Sequence, residues 1–113
     1  MPMNSSLEIT DQEAQKVAVA SRVSLDSIKD KIKMEYWFTA DKAIHPDTPL
    51  VDELKILSIC ILVMKNGFVV IGKSAPASPA NFNADLGKKF AYEDAIRQLW
   101  PLEGYALREK LAA

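Results

Sequence analysis

The spacing of hydrophobic and polar positions changes period several times along the chain, and each change marks an element. From Gln12 to about Ser21, Ala14, Val17 and Ala18 share one side with Ser21, a thin apolar stripe at helical spacing. Thr10 and Glu13 stand three apart, as in a capping box, so this helix is expected to begin at Thr10 after a loose lead-in over residues 1–9. Ser24 or Asp26 occupies the N-cap position of a second short helix, Leu25 to Lys31, with Leu25, Ile28 and Ile32 on one face. Met34, Tyr36, Trp37 and Phe38 are types enriched in strands and predict one over residues 33–39. Residues 40–53 carry Pro46, Pro49, Asp41, Asp47, Asp52 and Glu53 and read as a loop, the place for insertions and mobility.

A dense apolar run follows. Nine of the eleven residues from Leu54 to Met64 are apolar, far short of the roughly 20 that a spanning helix needs. The run ends at Lys65-Asn66-Gly67, and Phe68 to Lys73 resumes a strand pattern. Asn-Gly supplies the positive φ values of a type I′ turn, so residues 54–73 are expected to form an antiparallel hairpin. Ile56, Leu62 and Met64 point one way, while Leu57, Ile59, Ile61 and Val63 point the other. A strand apolar on both sides needs two covers. One is the chain's own helices; the other is the N-terminal helices or another subunit. Gly72 reads as a bulge or strand end.

Pro76 and Pro79 keep residues 74–80 irregular. Asn81 or Asn83 then caps a helix from Ala84 to about Leu99, with Asp85 near its positive end. Leu86, Phe90, Ala91, Ala95, Ile96 and Leu99 form its apolar face, and Glu93 and Arg97 form an outward i,i+4 pair. Pro101 is expected to break this helix and open a final one over residues 102–111, with Leu102, Tyr105, Ala106 and Leu111 for packing. Gly104 inside it costs about 1 kcal/mol against Ala, which points to close approach of another backbone. The predicted fold is α+β: a small antiparallel sheet, built from hairpin 54–73 and strand 33–39, packed on two C-terminal helices. Residues 1–113 read as a single domain, with an N-terminal helical region over 1–32 and the sheet and C-terminal helices over 33–113.

Composition narrows the function without naming it. With 49% hydrophobic and 26% charged residues, the chain is of ordinary globular type. A net charge of −1 disfavours a nucleic-acid binder, and the aromatics do not interleave with a basic stripe. Cys60, the single cysteine, lies inside the apolar run with no basic neighbour, so it reads as a packing residue in a reducing compartment. His45, the single histidine, precedes Pro46 in the polar loop, which leaves no set of metal ligands. Phosphate-loop, dinucleotide-binding, serine-hydrolase and zinc-protease motifs are all missing. Neither a catalytic residue nor a cofactor is expected. Asp85, Glu93, Asp94, Glu103 and Glu109 read as solvated helix faces.

Charge is unevenly spread: residues 1–53 hold ten acids and six bases, whereas residues 54–113 hold five acids and eight bases. Lys73, Ser74, Asn81 and Asn83 precede a helix start, and Lys88 and Lys89 lie in its early turns. With Phe82 as a stacking wall, these residues form the candidate anion or ligand site, a nucleotide being the candidate ligand. Trp100 and Tyr105 are candidate interface anchors for a homo-oligomer.

Several blocks also carry a family resemblance. They are residues 65–75 (Lys-Asn-Gly-Phe-Val-Val-Ile-Gly-Lys-Ser-Ala), residues 78–82 (Ser-Pro-Ala-Asn-Phe), residues 87–89 (Gly-Lys-Lys) and residues 100–108 (Trp-Pro-Leu-Glu-Gly-Tyr-Ala-Leu-Arg). In this order and spacing they resemble the tailed-phage N4 Gp49/Sf6 gene 66 family over about residues 54–112; Tyr36-Trp37-Phe38 extends the likeness more loosely. The resemblance implies a phage or prophage accessory protein, expressed in the bacterial host cytoplasm. It carries over no functional residue. The resulting expectation is a non-enzymatic protein that binds a host protein, for example a defence component. The alternative is an oligomeric binder that sequesters a nucleotide signal.

Overall fold

A computed structural model describes residues 6–113; the first five residues of the expected lead-in lie outside the described residues. Helix α1 spans Ser6–Val17, α2 spans Leu25–Lys29 and strand β1 spans Ile32–Thr39. Strands β2 (Ser58–Met64) and β3 (Val69–Ser74) make the hairpin, and helix α3 (Ala84–Ala112) closes the chain. Short 3₁₀ turns at Ala40–Ala43, Asp52–Ile56 and Pro79–Asn81 punctuate the connections. The sheet is antiparallel in the order β1-β2-β3.

The fold class is the predicted α+β, with several corrections. Helix α1 starts at Ser6, so Thr10 lies inside it and the Thr10/Glu13 capping box does not form. Leu7 explains the earlier start: it packs on the core and draws its turn into the helix. Ser24 does cap α2, its hydroxyl accepting from the Ser27 amide while Ser27 returns the bond. The hairpin's first strand begins at Ser58, because residues 52–56 wind into a 3₁₀ turn.

The hairpin turn also differs from expectation. Met64 and Phe68 close a three-residue loop, the Gly67 amide donates to the Met64 carbonyl at 2.9 Å, and Gly67 alone has a positive φ, +90°. This is a type I turn followed by a left-handed glycine, not type I′. Asn66 is held out of the left-handed region by its own Oδ1, which accepts from the Phe68 amide at 2.9 Å.

One 29-residue helix replaces the two predicted at the C-terminus. Pro101 removes a single ladder bond, to the Arg97 carbonyl, and the helix runs through it. Beyond the proline, Glu103 pairs with Lys31, which directly precedes β1. Asn83 is its N-cap, with Oδ1 accepting from the Leu86 amide at 3.0 Å. A Cβ at Gly104 would meet none of the described residues within 4 Å, so the expected close approach is not made there. It is made at Gly72, where a Cβ would overlap the Ala91 carbonyl and the Ala95 amide. Gly72 is therefore neither bulge nor strand end; it lets β3 lie directly on α3.

That contact sets the roll of α3. Ala91, Ala95, Ile96 and Leu99 face the sheet with Cys60, Leu62, Met64 and Val70, and Leu25 and Ile28 of α2 complete this core. Leu86 and Phe90 roll out to about half exposure. Glu93 rolls in beneath the N-terminal helices to 5% exposure, so the outward Glu93–Arg97 pair does not form; Arg97 instead reaches Ser6 Oγ at 3.4 Å. The N-terminal segment is pinned by Asp11, whose Oδ1 accepts from Arg22 at 2.6 Å and from the Leu25 amide at 3.0 Å.

Candidate functional site

Helices α1, α2 and α3 gather on one face of the sheet. Register alternation assigns Glu35, Leu62 and Val70, then Trp37, Cys60 and Gly72, to the helix side. The opposite face is a grid of three rows: Met34, Val63 and Val69; Tyr36, Ile61 and Ile71; Phe38, Ile59 and Lys73. Eight of these nine side chains are apolar, and Lys73 is the sole charge at one corner. Exposures are 46% for Met34, 50% for Tyr36, 48% for Val69 and 56% for Ile71. The second cover that the two-sided apolar strand called for is therefore not supplied by the N-terminal helices. From strand spacing and rise, the grid covers roughly 300 Å². A patch of roughly that size is the largest that an ordinary monomer shows, and it is often functional, which makes this face the candidate site.

The sequence candidates separate in space. Ser74, Asn81, Phe82 and Asn83 do come together, lining a cavity of about 180 Å³ at the start of α3 with Pro76, Leu86 and Phe90. Its polar groups are partly used, since Asn83 Oδ1 already caps the helix. None of the candidate lysines lines it. Lys73 points from the open sheet face, and its amide donates to Asp94 Oδ2 at 2.9 Å. Lys88 is exposed, while Lys89 lines a separate small cavity beside Glu8, Lys29 and Glu93. Trp100 packs against the core beneath α1, and Tyr105 is 71% exposed on the far part of α3. The two residues thus do not form one surface.

A larger cavity, about 500 Å³, lies between the hairpin turn and α3, a place the sequence did not single out. Phe68, Met64, Leu99 and Leu102 wall it, with Lys65, Asn66 and the Lys31–Glu103 ion pair at its polar side. Only the pairing of the turn with the second half of a continuous α3 creates it, and an α3 broken at Pro101 hides it from a sequence reading.

Cys60 is buried, and burial, with the nearby Glu35 carboxylate adding to it, pushes its thiol up to about 11. Burial likewise pushes the Tyr92 phenol up to about 12. Both are packing groups held neutral at physiological pH. His45 is exposed in its loop, with Nδ1 accepting from the Asp47 amide at 3.1 Å. Among the described residues no group of three His, Cys, Asp or Glu side chains is placed to hold a metal ion. Among them, too, no helix is long and apolar enough to cross a membrane.

Neither the curated proteins nor the solved structures give a match to this chain. A family model does match, over residues 23–111, which takes in all three strands, α2 and nearly all of α3. By that match the chain belongs to the Phage protein (N4 Gp49/phage Sf6 gene 66) family.

Proposed function

We propose that this phage protein is a non-enzymatic accessory factor that binds and modulates a host protein in the bacterial cytoplasm, with counter-defence as the role. The observation that carries this reading is the open apolar sheet face. Burying Met34, Tyr36, Val69 and Ile71 against a partner removes apolar area from water at about 25 cal/mol per Å². The aromatic pair Tyr36 and Phe38 supplies rigid anchors of the kind that dominate interface energies. The test is recovery of the tagged chain from infected cells, followed by calorimetry with the purified host protein it retains. A Val69→Lys/Ile71→Lys double variant, changed on β3 of the open face and away from the β1 edge, is expected to lose that binding with unchanged circular dichroism. Equal binding by the variant would contradict the reading.

A second reading, sequestration of a small anionic ligand such as a nucleotide, draws support from the 500 Å³ cavity. Its volume falls within the range of small-molecule sites, and Phe68 offers a stacking wall beside Lys65 and Asn66. Calorimetry against mono-, di- and cyclic nucleotides is the measurement. This reading expects a heat that Lys65→Glu abolishes; no heat with any of them removes it.

A further inference from the structure

The two edges of the sheet are finished differently. Strand alternation turns the backbone groups of Val69, Ile71 and Lys73 outward on β3, since the neighbouring residues bond to β2. Helix α3 covers this edge with side chains: Asp94 accepts from the Lys73 amide, and Gln98 Nε2 donates to the Ile71 carbonyl at 2.6 Å. On β1 the Ala40 amide bonds to the Leu57 carbonyl, which fixes Met34, Tyr36 and Phe38 as the residues bonded to β2. The amides and carbonyls of Glu35 and Trp37 therefore face outward, and none of the described groups bonds to them. An eight-residue edge left open in this way is a template for another strand.

We infer that β1 pairs antiparallel with β1 of a second copy of this chain, about a two-fold axis at Tyr36, to give a continuous six-stranded sheet. The occupant follows from self-complementarity. Only outward-facing residues can exchange hydrogen bonds, so the axis lies at Glu35, Tyr36 or Trp37. At Glu35 the two carboxylates oppose each other, which is destabilising. At Trp37 the overlap stops where the chain leaves the strand at Thr39. At Tyr36 the whole of residues 33–39 overlaps. Glu35 of each copy exchanges bonds with Trp37 of the other, Tyr36 meets Tyr36, and Met34 meets Phe38 on the open face. These aromatic and sulfur–aromatic cross-strand pairs are favourable, and no like charges are opposed. The bulge between Ile32 and Met34 falls at the end of the new ladder, where it ends the pairing. The two open faces then join into one apolar surface of roughly 600 Å². This inference concerns the strand edge, so it stands or falls separately from docking on the face.

Light scattering on the full chain at tens of micromolar is expected to give twice the 12.5 kDa chain mass. Glu35→Pro removes an outward amide while sparing the ladder to β2, and is expected to give the single-chain mass with unchanged circular dichroism. Tyr36→Cys places two thiols across a non-hydrogen-bonded pair, whose Cα separation of about 4.5 Å suits a disulfide. It is expected to link rapidly under mild oxidation, whereas Ile71→Cys stays unlinked. A wild-type monomer overturns the inference, as does a dimer that survives Glu35→Pro or in which Ile71→Cys links and Tyr36→Cys does not. Should Glu35→Pro fail to fold, the two cysteine variants decide.

Discussion

Asp11 ties the N-terminal helices together. Its carboxylate joins α1 to Arg22 and to the first amide of α2. Partial burial works to raise its pKa, but the Arg22 and Leu25 hydrogen bonds and the guanidinium charge outweigh this and hold it below the ordinary value of 3.8. A depressed carboxylate contributes stability that is fully present above the unfolded-state value and is lost as pH falls through the folded one. Asp11→Asn is expected to cost about 2 kcal/mol at pH 7, and the difference from wild type should shrink below about pH 4 in denaturant titrations. Ser58 makes a second residue-scale prediction. Its hydroxyl is fully buried, finds no hydrogen-bond partner among the described residues and sits against Gly87. Ser58→Ala is expected to leave stability unchanged or raise it by about 1 kcal/mol, because an unpaired buried hydroxyl is lost. Gly87→Ala alone, whose Cβ would overlap Ser58 Oγ, is expected to destabilise; measured together by thermal melts, the two changes should be less costly than their sum. Neither role was legible in the sequence: Asp11 and Arg22 are eleven positions apart, and Ser58 read as one polar interruption of an apolar run.

At the scale of elements, local signals were read well where the deciding interaction was local. The Ser24 and Asn83 caps, the strand over Met34–Phe38 and a turn at Asn66-Gly67 all act within a few residues and are present, although the turn is type I with a left-handed Gly67 and not the expected type I′. Elements decided by distant partners were read less well. Pro101 did not end α3, since it removes a single ladder bond and the helix continues past it to Ala112, and Gly72 took the close-packing role expected of Gly104. Two glycines therefore separate two kinds of constraint. Gly67 has open space around it but a φ of +90°, so Gly67→Val should cost about 1–2 kcal/mol through backbone strain alone. Gly72→Ala has no conformational penalty but drives a methyl into the α3 backbone. It should cost more than Gly67→Val, about 3 kcal/mol, by forcing the helix off the sheet. Urea denaturation of the two variants side by side gives the order.

For the whole molecule, the alternation in β2 already implied two apolar faces, and the structure accounts for one. Helices α1, α2 and α3 gather on the side of Cys60, Leu62 and Met64. The side of Ile59, Ile61 and Val63 is left with its neighbours Met34, Tyr36, Val69 and Ile71 open. What the sequence could not convey is that the helices share one face, since amphipathic stripes show that a helix packs but not on which side of a sheet. For the same reason the ligand candidates at residues 73–89 looked like one cluster, whereas strand pleating sends Lys73 to the open face and Ser74 toward the cavity. Placing function on the open face is the central claim, and hydroxyl-radical footprinting of the chain, alone and bound to the host protein it retains, tests it most directly. Binding at fixed chain concentration is predicted to suppress oxidation of Met34, Tyr36 and Ile71 while Tyr105 and Leu102 stay reactive. Protection confined to Tyr105, Leu102 and Phe68, with Met34 and Tyr36 oxidised as in the free protein, would contradict it.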